Sequence, residues 1–545
     1  MELREQARDS ASRLSPAMRT PTAYRVCDGI TEAVLYFEAV FAPWAFGATE
    51  HWSVWTMNVA GYVLGGLLLV KWSVRWRARF RPMRWGETDE VRGPKSEAQS
   101  QKSEVGREGG EAQNTERGTR NVDGLAPSRV TLSTTALATL TAVILAYCLV
   151  AAINARSTFV SREMAFVPHE SIAWLPHSYD SRATWQAFWM YLGLALTFWA
   201  ARDWFLGKTA KERRAARGEE REAEDRSTFP TRLQRLLWVL CLNGALLALE
   251  GILQRLSGTE KLLWLLQPVF NQTGDLQFGP YAYRSNAAQY FNLLWPVCLG
   301  QWWTLRRPNR RAGRAAGRMG SGPRVVLLPC AVLMAAAPII SSSRGGAIVA
   351  AMEMLGALSL LLFAQRKGHG LVRLGVILVF GAVLLLAGRL GWEKLGPRLK
   401  TILSDDMSGR VEIYRNAEQM ALDFPVFGTG PGTFPQVYHL YRANAQATWA
   451  AYAHNDWLET LVTFGWVGFV PIILALGIVV LRWFGEGGIN AQWLFVSLIW
   501  LALAGCLVHA RFDFPLQIYS TLALSLHLCA ILFCLSRKAS RQHSA

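Results

Sequence analysis

Apolar residues in this chain gather in runs of about twenty, separated by polar or charged segments. A helix needs about twenty apolar residues to cross the hydrocarbon core of a membrane, because each residue adds only about 1.5 Å to its length. The chain is 51% hydrophobic and contains 23 tryptophans in 545 residues. The sequence therefore predicts an all-α polytopic membrane protein.

The apolar runs predict about twelve membrane-spanning helices. They lie near residues 31–48, 54–73, 131–153, 183–201, 233–256, 286–304, 325–342, 346–365, 373–390, 464–483, 492–510 and 515–536. The 57 Lys and Arg residues outnumber the 40 acidic ones, and they lie mainly between alternate runs. Cytoplasmic loops carry such an excess, so the charge indicates orientation and not nucleic-acid binding. With the N-terminus inside, segments 74–130, 203–232 and 305–324 are expected inside.

The chain divides into five predicted regions. Residues 87–128 are rich in Gly, Glu, Ser, Gln and Arg and are expected to form a disordered cytoplasmic linker. Residues 391–464 form the large outer segment, whose charged and aromatic residues suit a folded, mostly helical cap. The remaining regions are an N-terminal tail with two spans, a transmembrane core, and the final spans with a cytoplasmic tail, at 1–86, 129–390 and 465–545.

The cysteines and the N-terminus exclude two further features. All eight cysteines fall inside spans or near a cytoplasmic end, which argues against a disulfide framework or a thiolate metal site. The first thirty residues are polar and show no apolar stretch or small-residue cleavage site. No removable signal peptide is therefore expected.

Two arginines stand at predicted outer ends of spans. Arg344 lies in SSSRGGAIVA, a polar break between two apolar runs, where a charge needs an interface or an anion. A turn with a snorkelling arginine is the alternative. Arg284 lies in FGPYAYRSNAAQYF, and its guanidinium suits a phosphate, while Asn286 could cap the helix that follows.

The outer segment contains an amphipathic stretch followed by a glycine-rich turn. The stretch SGRVEIYRNAEQMALDFPVFGTGPGTF begins at Ser408 and offers Arg410 and Arg415 for anion contact, although a surface salt bridge is the alternative for Arg415. The GTGPGTF turn lacks the spacing of a dinucleotide fingerprint. Its glycines, Gly428, Gly430 and Gly432, are expected to act as hinges.

A histidine stands at the entrance to the tenth predicted span. The segment WAAYAHNDWLETLVTFGWVGF places His454, Asn455 and Glu459 there. A neutral imidazole could take a proton from an attacking hydroxyl, and a hydrogen-bonding role is the alternative. Glu459 is five positions beyond His454, so the two do not face each other on a helix, and we do not pair them as base and orienting group.

These motifs resemble those of the superfamily of O-antigen ligases, O-antigen polymerases and pilin-glycosylating oligosaccharyltransferases. The resemblance is clearest from Phe278 to Gln517, through SSSRGG, the passage from SGR to DFPVFGTGPGTF, AHNDWLETLVTFGWVG and HARFDFPLQ. FAPWAFGATEHWS, starting at Phe41, also looks like the early spans of many members. The chain departs from the family at SNAAQYF after Arg284, where many members have an NRNHFAGY-like sequence.

The resemblance implies a helical, GT-C-like glycosyltransferase of the inner membrane with a large periplasmic loop. By motif match, His454 is the catalytic base, Arg344, Arg284 and Arg410 hold the donor, and Asn455 and Glu459 support the site. The implied donor is an undecaprenyl diphosphate-linked glycan, and the acceptor is a glycan, lipid A core or a protein, with no metal or cofactor. Membrane lipids are further expected partners, and nucleic acid is not.

The chemistry of such a donor predicts the division of labour between these residues. Diphosphate is already a good leaving group, so positioned arginines that stabilise its charge matter more than a general acid. The acceptor hydroxyl is a weak nucleophile and gains from proton removal by His454. Direct displacement predicts inversion at the anomeric carbon.

A transporter is the alternative from another class, since twelve spans also describe many permeases. A transporter would need ionisable residues near mid-membrane and broken helices. The midpoints of most predicted spans are apolar, with Glu38 and Glu250 as exceptions, while Glu353 lies in the outer half of the eighth span. A noncatalytic scaffold for polysaccharide assembly would leave the arginines and His454 without a purpose.

Overall fold

The computed structural model describes eight stretches of the chain, namely residues 20–85, 129–216, 229–306, 323–364, 370–400, 408–443, 449–485 and 492–539. The predicted linker at 87–128 lies outside the described residues. Up to residue 306 the helices are α1 (Thr22–Trp44), α2 (His51–Arg77), α3 (Arg129–Ile153), α4 (Ser181–Leu206), α5 (Ala210–Ala216), α6 (Thr231–Ser257) and α7 (Arg284–Arg306). The later helices are α8 (Leu327–Ile340), α9 (Arg344–Ala364), α10 (Gly370–Lys400), α11 (Ser408–Asp423), α12 (Phe434–Tyr438), α13 (Asp456–Gly485), α14 (Trp493–His509) and α15 (Tyr519–Ala539).

Each predicted span lies on one of twelve helices, which are all those above except the shorter α5, α11 and α12. Within the described stretches, six helices are both long and apolar enough to cross a membrane, and they are α2, α3, α6, α9, α13 and α15. Helices α8 and α14 are apolar but shorter. A mostly helical membrane protein is confirmed, while the number of twelve spans stays a prediction.

Helix α7 forms the centre of the bundle and packs against α6, α8, α9 and α14. Its middle turns are fully buried at Leu293, Leu294 and Val297. Small residues on its neighbours and on itself bring the helices close: an added Cβ at Gly244 of α6 would collide with the Leu294 side chain. Close contact through small residues is the main source of helix association in a membrane, where burial from water contributes little.

The structure differs from an all-helical fold between α3 and α4. Strands β1 (Ser157–Val160) and β2 (Ala165–Pro168) form an antiparallel hairpin in which Phe159 pairs with Phe166. Alternate residues of β1 are buried, as expected of a strand with one face on a core. A strand of four residues is too short to give a periodicity signal in a sequence dominated by long apolar runs.

The connection between α10 and α13 is shorter than the predicted outer segment, residues 391–464. Helix α10 continues through charged residues to Lys400, and α13 already begins at Asp456. Hydropathy marks where a helix leaves the apolar region, whereas the backbone hydrogen bonds continue beyond that point. Helices α11 and α12 pack together here around Ile413, Ala417 and Met420, and the predicted outer location of this cap stays a prediction.

The glycine-rich turn after α11 lies in close backbone contact with α13. Gly428, Gly430 and Gly432 all have positive φ, as expected of a loop. An added Cβ at Gly428 would lie 2.5 Å from the backbone of Gly465, which also has positive φ and interrupts α13. The structure therefore assigns Gly428 to the docking of the turn onto α13, and the expected hinge role has no support in this packed position.

Buried ion pairs join four helices at the end of the bundle opposite α11 and α12. Lys71 contacts both Asp28 and Asp203, at 2.8 and 2.9 Å. Arg75 and Arg232 pair with the same two carboxylates. Removing one partner from such a buried cluster would leave an uncompensated charge, so these contacts join the ends of α1, α2, α4 and α6.

Candidate functional site

The residues singled out in the sequence converge at one end of the helical bundle. This end carries the first turns of α7, α9 and α13, the last turn of α14, and α11 of the outer cap. The turn between α14 and α15, residues 510–518, lies among them. Five separate segments of the chain therefore supply the candidate site.

His454 directly precedes the cap of α13 and has an unusual backbone conformation. Its φ is +52°, in the left-handed region that residues other than glycine rarely occupy. The carbonyl of His454 accepts a hydrogen bond from the Tyr414 hydroxyl at 2.9 Å. Strained backbone of this kind persists where the surroundings hold it, and it clusters at functional sites.

Asp513 is the partner of the His454 ring. His454 Nδ1 lies 3.1 Å from Asp513 Oδ1, across 59 positions of sequence. An ionised carboxylate can only accept, so this contact places the ring proton on Nδ1. The lone pair of the neutral ring is then on Nε2, which becomes the atom able to take a proton.

The surroundings of Asp513 keep it ionised. Burial opposes its ionisation, but the hydrogen bond with His454 and the nearby His509 and Arg410 lower the pKa of Asp513 to about 2. The Ser285 hydroxyl donates to Asp513 Oδ2 at 2.5 Å, and the Phe514 backbone N–H donates to Oδ1 at 3.1 Å. Asp513 is therefore a buried anion that orients the imidazole of His454.

Arg410 lies beside this pair. Its guanidinium donates to the Phe512 carbonyl at 2.8 Å and to the Tyr283 hydroxyl at 3.5 Å. Its charge also interacts with Asp513. Arg415, by contrast, is exposed.

Aromatic rings form one wall of the site. Phe514 stacks between Tyr283 and Tyr452, with ring centroids 5.3 and 4.3 Å away. The His454 ring meets the edge of Phe514 at 4.9 Å. These rings are large apolar surfaces with hydroxyl groups at the two tyrosines, and they pack beside His454.

The SSSRGG motif forms the turn between α8 and α9, and Arg344 is the first residue of α9. Ser343 accepts from the Gly346 N–H and so caps the helix, while its hydroxyl donates to Ser285 at 3.3 Å. The paired glycines admit close neighbours: an added Cβ at Gly345 would lie 2.8 Å from His509 Nε2. This turn connects Arg344 to the Asp513 network through Ser343 and Ser285.

Arg284 begins α7, immediately before Ser285. Its guanidinium donates a hydrogen bond to the Asp275 carbonyl, and the charged groups near it include Arg398, Arg255 and Asp275. The capping role expected for Asn286 is wrong, because α7 already begins at Arg284 and Asn286 is buried inside the first turn.

Asn455 and Glu459 hold the local backbone of His454. Asn455 Oδ1 accepts from the Leu458 N–H at 3.3 Å and caps α13, and Glu459 accepts from the Ala453 N–H at 2.7 Å. Glu459 does not contact the His454 ring, in agreement with the five-residue spacing. Asp456 adds a third constraint, because its N–H donates to the Ala510 carbonyl and its side chain accepts from Leu516.

Sequence reasoning missed Asp513, Ser285 and His509 as members of the site. Asp513 and His509 both lie within HARFDFPLQ, one of the motifs that resembles the superfamily. A polar pair in a short turn between two apolar runs was the available signal. Their partners are dozens to hundreds of positions away, which is why the pairing itself could not be predicted.

The three acidic residues within the apolar spans do not form a common site. Glu38 accepts from Thr197 at 3.0 Å, Glu353 accepts from the Trp295 indole at 2.9 Å, and Glu250 lies beside Gly279. These carboxylates therefore lack the shared midplane site of a transporter. Across the stretches that the structure describes, no group of three or more His, Cys, Asp or Glu side chains is arranged to hold a metal.

The comparison with known families covers the centre of this site. Residues 329–473 match the family model described as O-antigen ligase, a stretch that includes Arg344, Arg410 and His454. No curated protein matches the chain. With its apolar helices, the chain is a multi-pass membrane protein. The matched family implies a glycosyltransferase-like ligase activity, and the match supports the resemblance of the chain to the O-antigen ligase-related superfamily.

Proposed function

We propose that the protein transfers a glycan from undecaprenyl diphosphate to an acceptor hydroxyl at the periplasmic face of the inner membrane. The observation that carries this proposal is the contact between His454 and Asp513 beside Arg410, at the bundle end that also bears Arg284 and Arg344. A base with an orienting carboxylate suits deprotonation of a hydroxyl. Arginines nearby suit a diphosphate leaving group.

The proposed reaction is a direct displacement at the anomeric carbon. His454 Nε2 takes the proton of the acceptor hydroxyl as its oxygen attacks, and the bond from that carbon to the diphosphate oxygen breaks. The diphosphate leaves with the bonding electron pair, and its added charge is stabilised by Arg284, Arg344 and Arg410. The configuration inverts, no metal is required, and the imidazolium that forms is stabilised by Asp513.

The test is transfer by the purified protein from a lipid-linked glycan. Release of undecaprenyl diphosphate together with glycosylation of a supplied acceptor would support the proposal. Candidate acceptors are a second lipid-linked glycan, lipid A core and a pilin-type protein, tested separately because each has a hydroxyl of suitable chemistry. Movement of intact lipid-linked glycan across a vesicle membrane, without release, would support the transporter instead.

Replacing Arg344 with Lys is expected to reduce turnover about tenfold, although the charge is kept. An ammonium group cannot reproduce the planar two-point contact of guanidinium with diphosphate oxygens. The measurement is the steady-state rate at equal amounts of folded protein, compared with Arg415→Lys, an exposed arginine on the cap. A normal rate in Arg344→Lys would show that Arg344 only anchors the turn.

If the site faces the periplasm, we expect two introduced single cysteines to differ in their labelling from that side. Glu418 on α11 and Lys211 on α5 are both exposed and lie in segments expected outside and inside, respectively. In a cysteine-free background, a membrane-impermeant maleimide added from the periplasm should label Glu418→Cys and spare Lys211→Cys until the membrane is opened. Reversed labelling would overturn the proposed orientation.

A further inference from the structure

Apolar side chains are exposed in the connection between α6 and α7, on the same side of the bundle as the candidate site. This apolar loop, residues 262–270, reads LLWLLQPVF. Leu265 is 76% exposed, and Val269 and Phe270 are each 80% exposed. Exposed apolar residues occur singly on most proteins, but a contiguous group of them marks a surface for another apolar molecule.

The apolar loop has a defined conformation. Leu262 and Leu266 exchange two backbone hydrogen bonds, and the turn between them holds Leu263 and Trp264 at positive φ. The Trp264 indole donates to Ser257 at 3.0 Å, and Gln254 donates to the Lys261 carbonyl. The first part of the apolar loop, including Leu265, is thus a closed turn tied to the end of α6.

Cations lie directly beyond the apolar loop. Arg255 donates to the carbonyls of Gly274, Gln277 and Ser341, at 2.9, 3.1 and 3.0 Å. Arg255 and Lys394 both contact the Asp275 carboxylate, and Arg284 donates to the Asp275 carbonyl. Arg255, Arg284 and Lys394 form the cation cluster.

The cation cluster carries more positive charge than Asp275 balances. The hydrogen bond and charge of Lys394, together with Arg255 and Arg398, lower the pKa of Asp275, whose side chain is half exposed. A half-exposed carboxylate held by several cations occupies a position where another anion could be held. The cluster therefore suits a phosphate group that approaches from the membrane surface.

The cation cluster is joined to the candidate site by neighbouring residues. Arg255 holds the Ser341 carbonyl at the start of the SSSRGG turn. Arg284 precedes Ser285, whose hydroxyl donates to Asp513 beside His454. The order along this face is thus apolar loop, cation cluster and base.

We propose that the apolar loop binds the isoprenoid chain of the lipid-linked donor and delivers its diphosphate to the cation cluster. The inference rests on the proposed function and adds the part of the protein that holds the lipid. The order of apolar loop, cations and base matches the order of isoprenoid, diphosphate and sugar within the donor. Charge complementarity and this order select the donor over an ordinary membrane lipid.

The test compares the binding of undecaprenyl diphosphate and inorganic diphosphate to the full-length protein in neutral detergent. The variant Leu265→Ser with Phe270→Ser is expected to raise the Kd for undecaprenyl diphosphate at least about tenfold and to leave that for inorganic diphosphate unchanged, since only apolar contact is lost. Lys394→Ala is expected to raise both values. Leu422→Ser, at a residue of α11 that is 72% exposed, is the matched control and should change neither.

Each result decides the inference. Unchanged binding of undecaprenyl diphosphate in the double variant would show that the loop only anchors the protein in the bilayer, and the proposal would fail. An equal loss for both ligands would mean that the loop merely shapes the cation cluster, which also overturns it. Wild-type protein that binds undecaprenyl diphosphate but transfers no glycan would reject the proposed function alone.

Discussion

Replacing His454 with Asn is expected to reduce single-turnover glycan transfer by about a hundredfold or more while leaving donor binding nearly unchanged. General base catalysis typically contributes a factor of that order, and an amide cannot take up the proton. Asn is the sharper substitution because His454 has a φ of +52°, a conformation that Asn adopts at a lower cost than Ala. An amide can also donate to Asp513, so the turn should keep its shape.

His454→Ala is then a second variant with the same chemical defect and an added strain. If His454 is the base, both variants should lose transfer equally once corrected for folded protein, and His454→Ala should also melt at a lower temperature. His439→Ala is the matched control, because His439 lies in the same cap and contacts Trp449. Normal transfer by His454→Asn would remove the base from the mechanism, even though the family assignment would stand.

Replacing Asp513 with Asn is expected to lower turnover by about a hundredfold with little change in donor affinity. An amide has the wrong charge to stabilise an imidazolium, and its NH₂ group can hold the neutral ring in the tautomer with the proton on Nε2. Donor affinity should persist, because the proposed diphosphate contacts are the arginines. The measurement is the separate determination of kcat and KM for the lipid-linked donor.

The Asp513 variant also has a control and a signature in pH. Ser285→Ala removes the hydroxyl that donates to Asp513 but leaves the His454 contact, so its loss should be much smaller. Burial raises the pKa of Asp513, but its hydrogen bond with His454 and the nearby His509 and Arg410 outweigh that effect and lower the pKa to about 2. This carboxylate therefore stays ionised from roughly pH 5 to 8. A change in the wild-type rate within this pH range should therefore not come from Asp513. Equal losses in Ser285→Ala and Asp513→Asn would indicate a structural role for the network.

Much of the helical architecture was predictable because apolar runs of the required length are a direct physical signal. All twelve predicted segments lie on helices, from α1 to α15. The bounds near charged residues were not predictable in the same way, as the extension of α10 to Lys400 shows. The β1–β2 hairpin was missed because four-residue strands leave almost no pattern.

The chemical types at the site were predictable, but their pairing was not. The sequence identified His454 and Arg410 as candidates, and the structure brings them to the same carboxylate. That carboxylate, Asp513, is contributed by a turn 59 positions beyond His454. One sequence contains no measure of distance between such residues, so only the fold could show which of the polar groups at the helix ends meet.

The separation of His454 and Asp513 has a consequence for biogenesis in the membrane. The base enters the bilayer with α13, but its orienting carboxylate is synthesised only after α14, and Asp456 cannot engage Ala510 and Leu516 before then. A chain still on the ribosome therefore carries His454 and Arg410 without their partners in the turn after α14, which are Asp513 and the Phe512 carbonyl. We expect the proposed transfer to begin only when the last pair of helices has inserted.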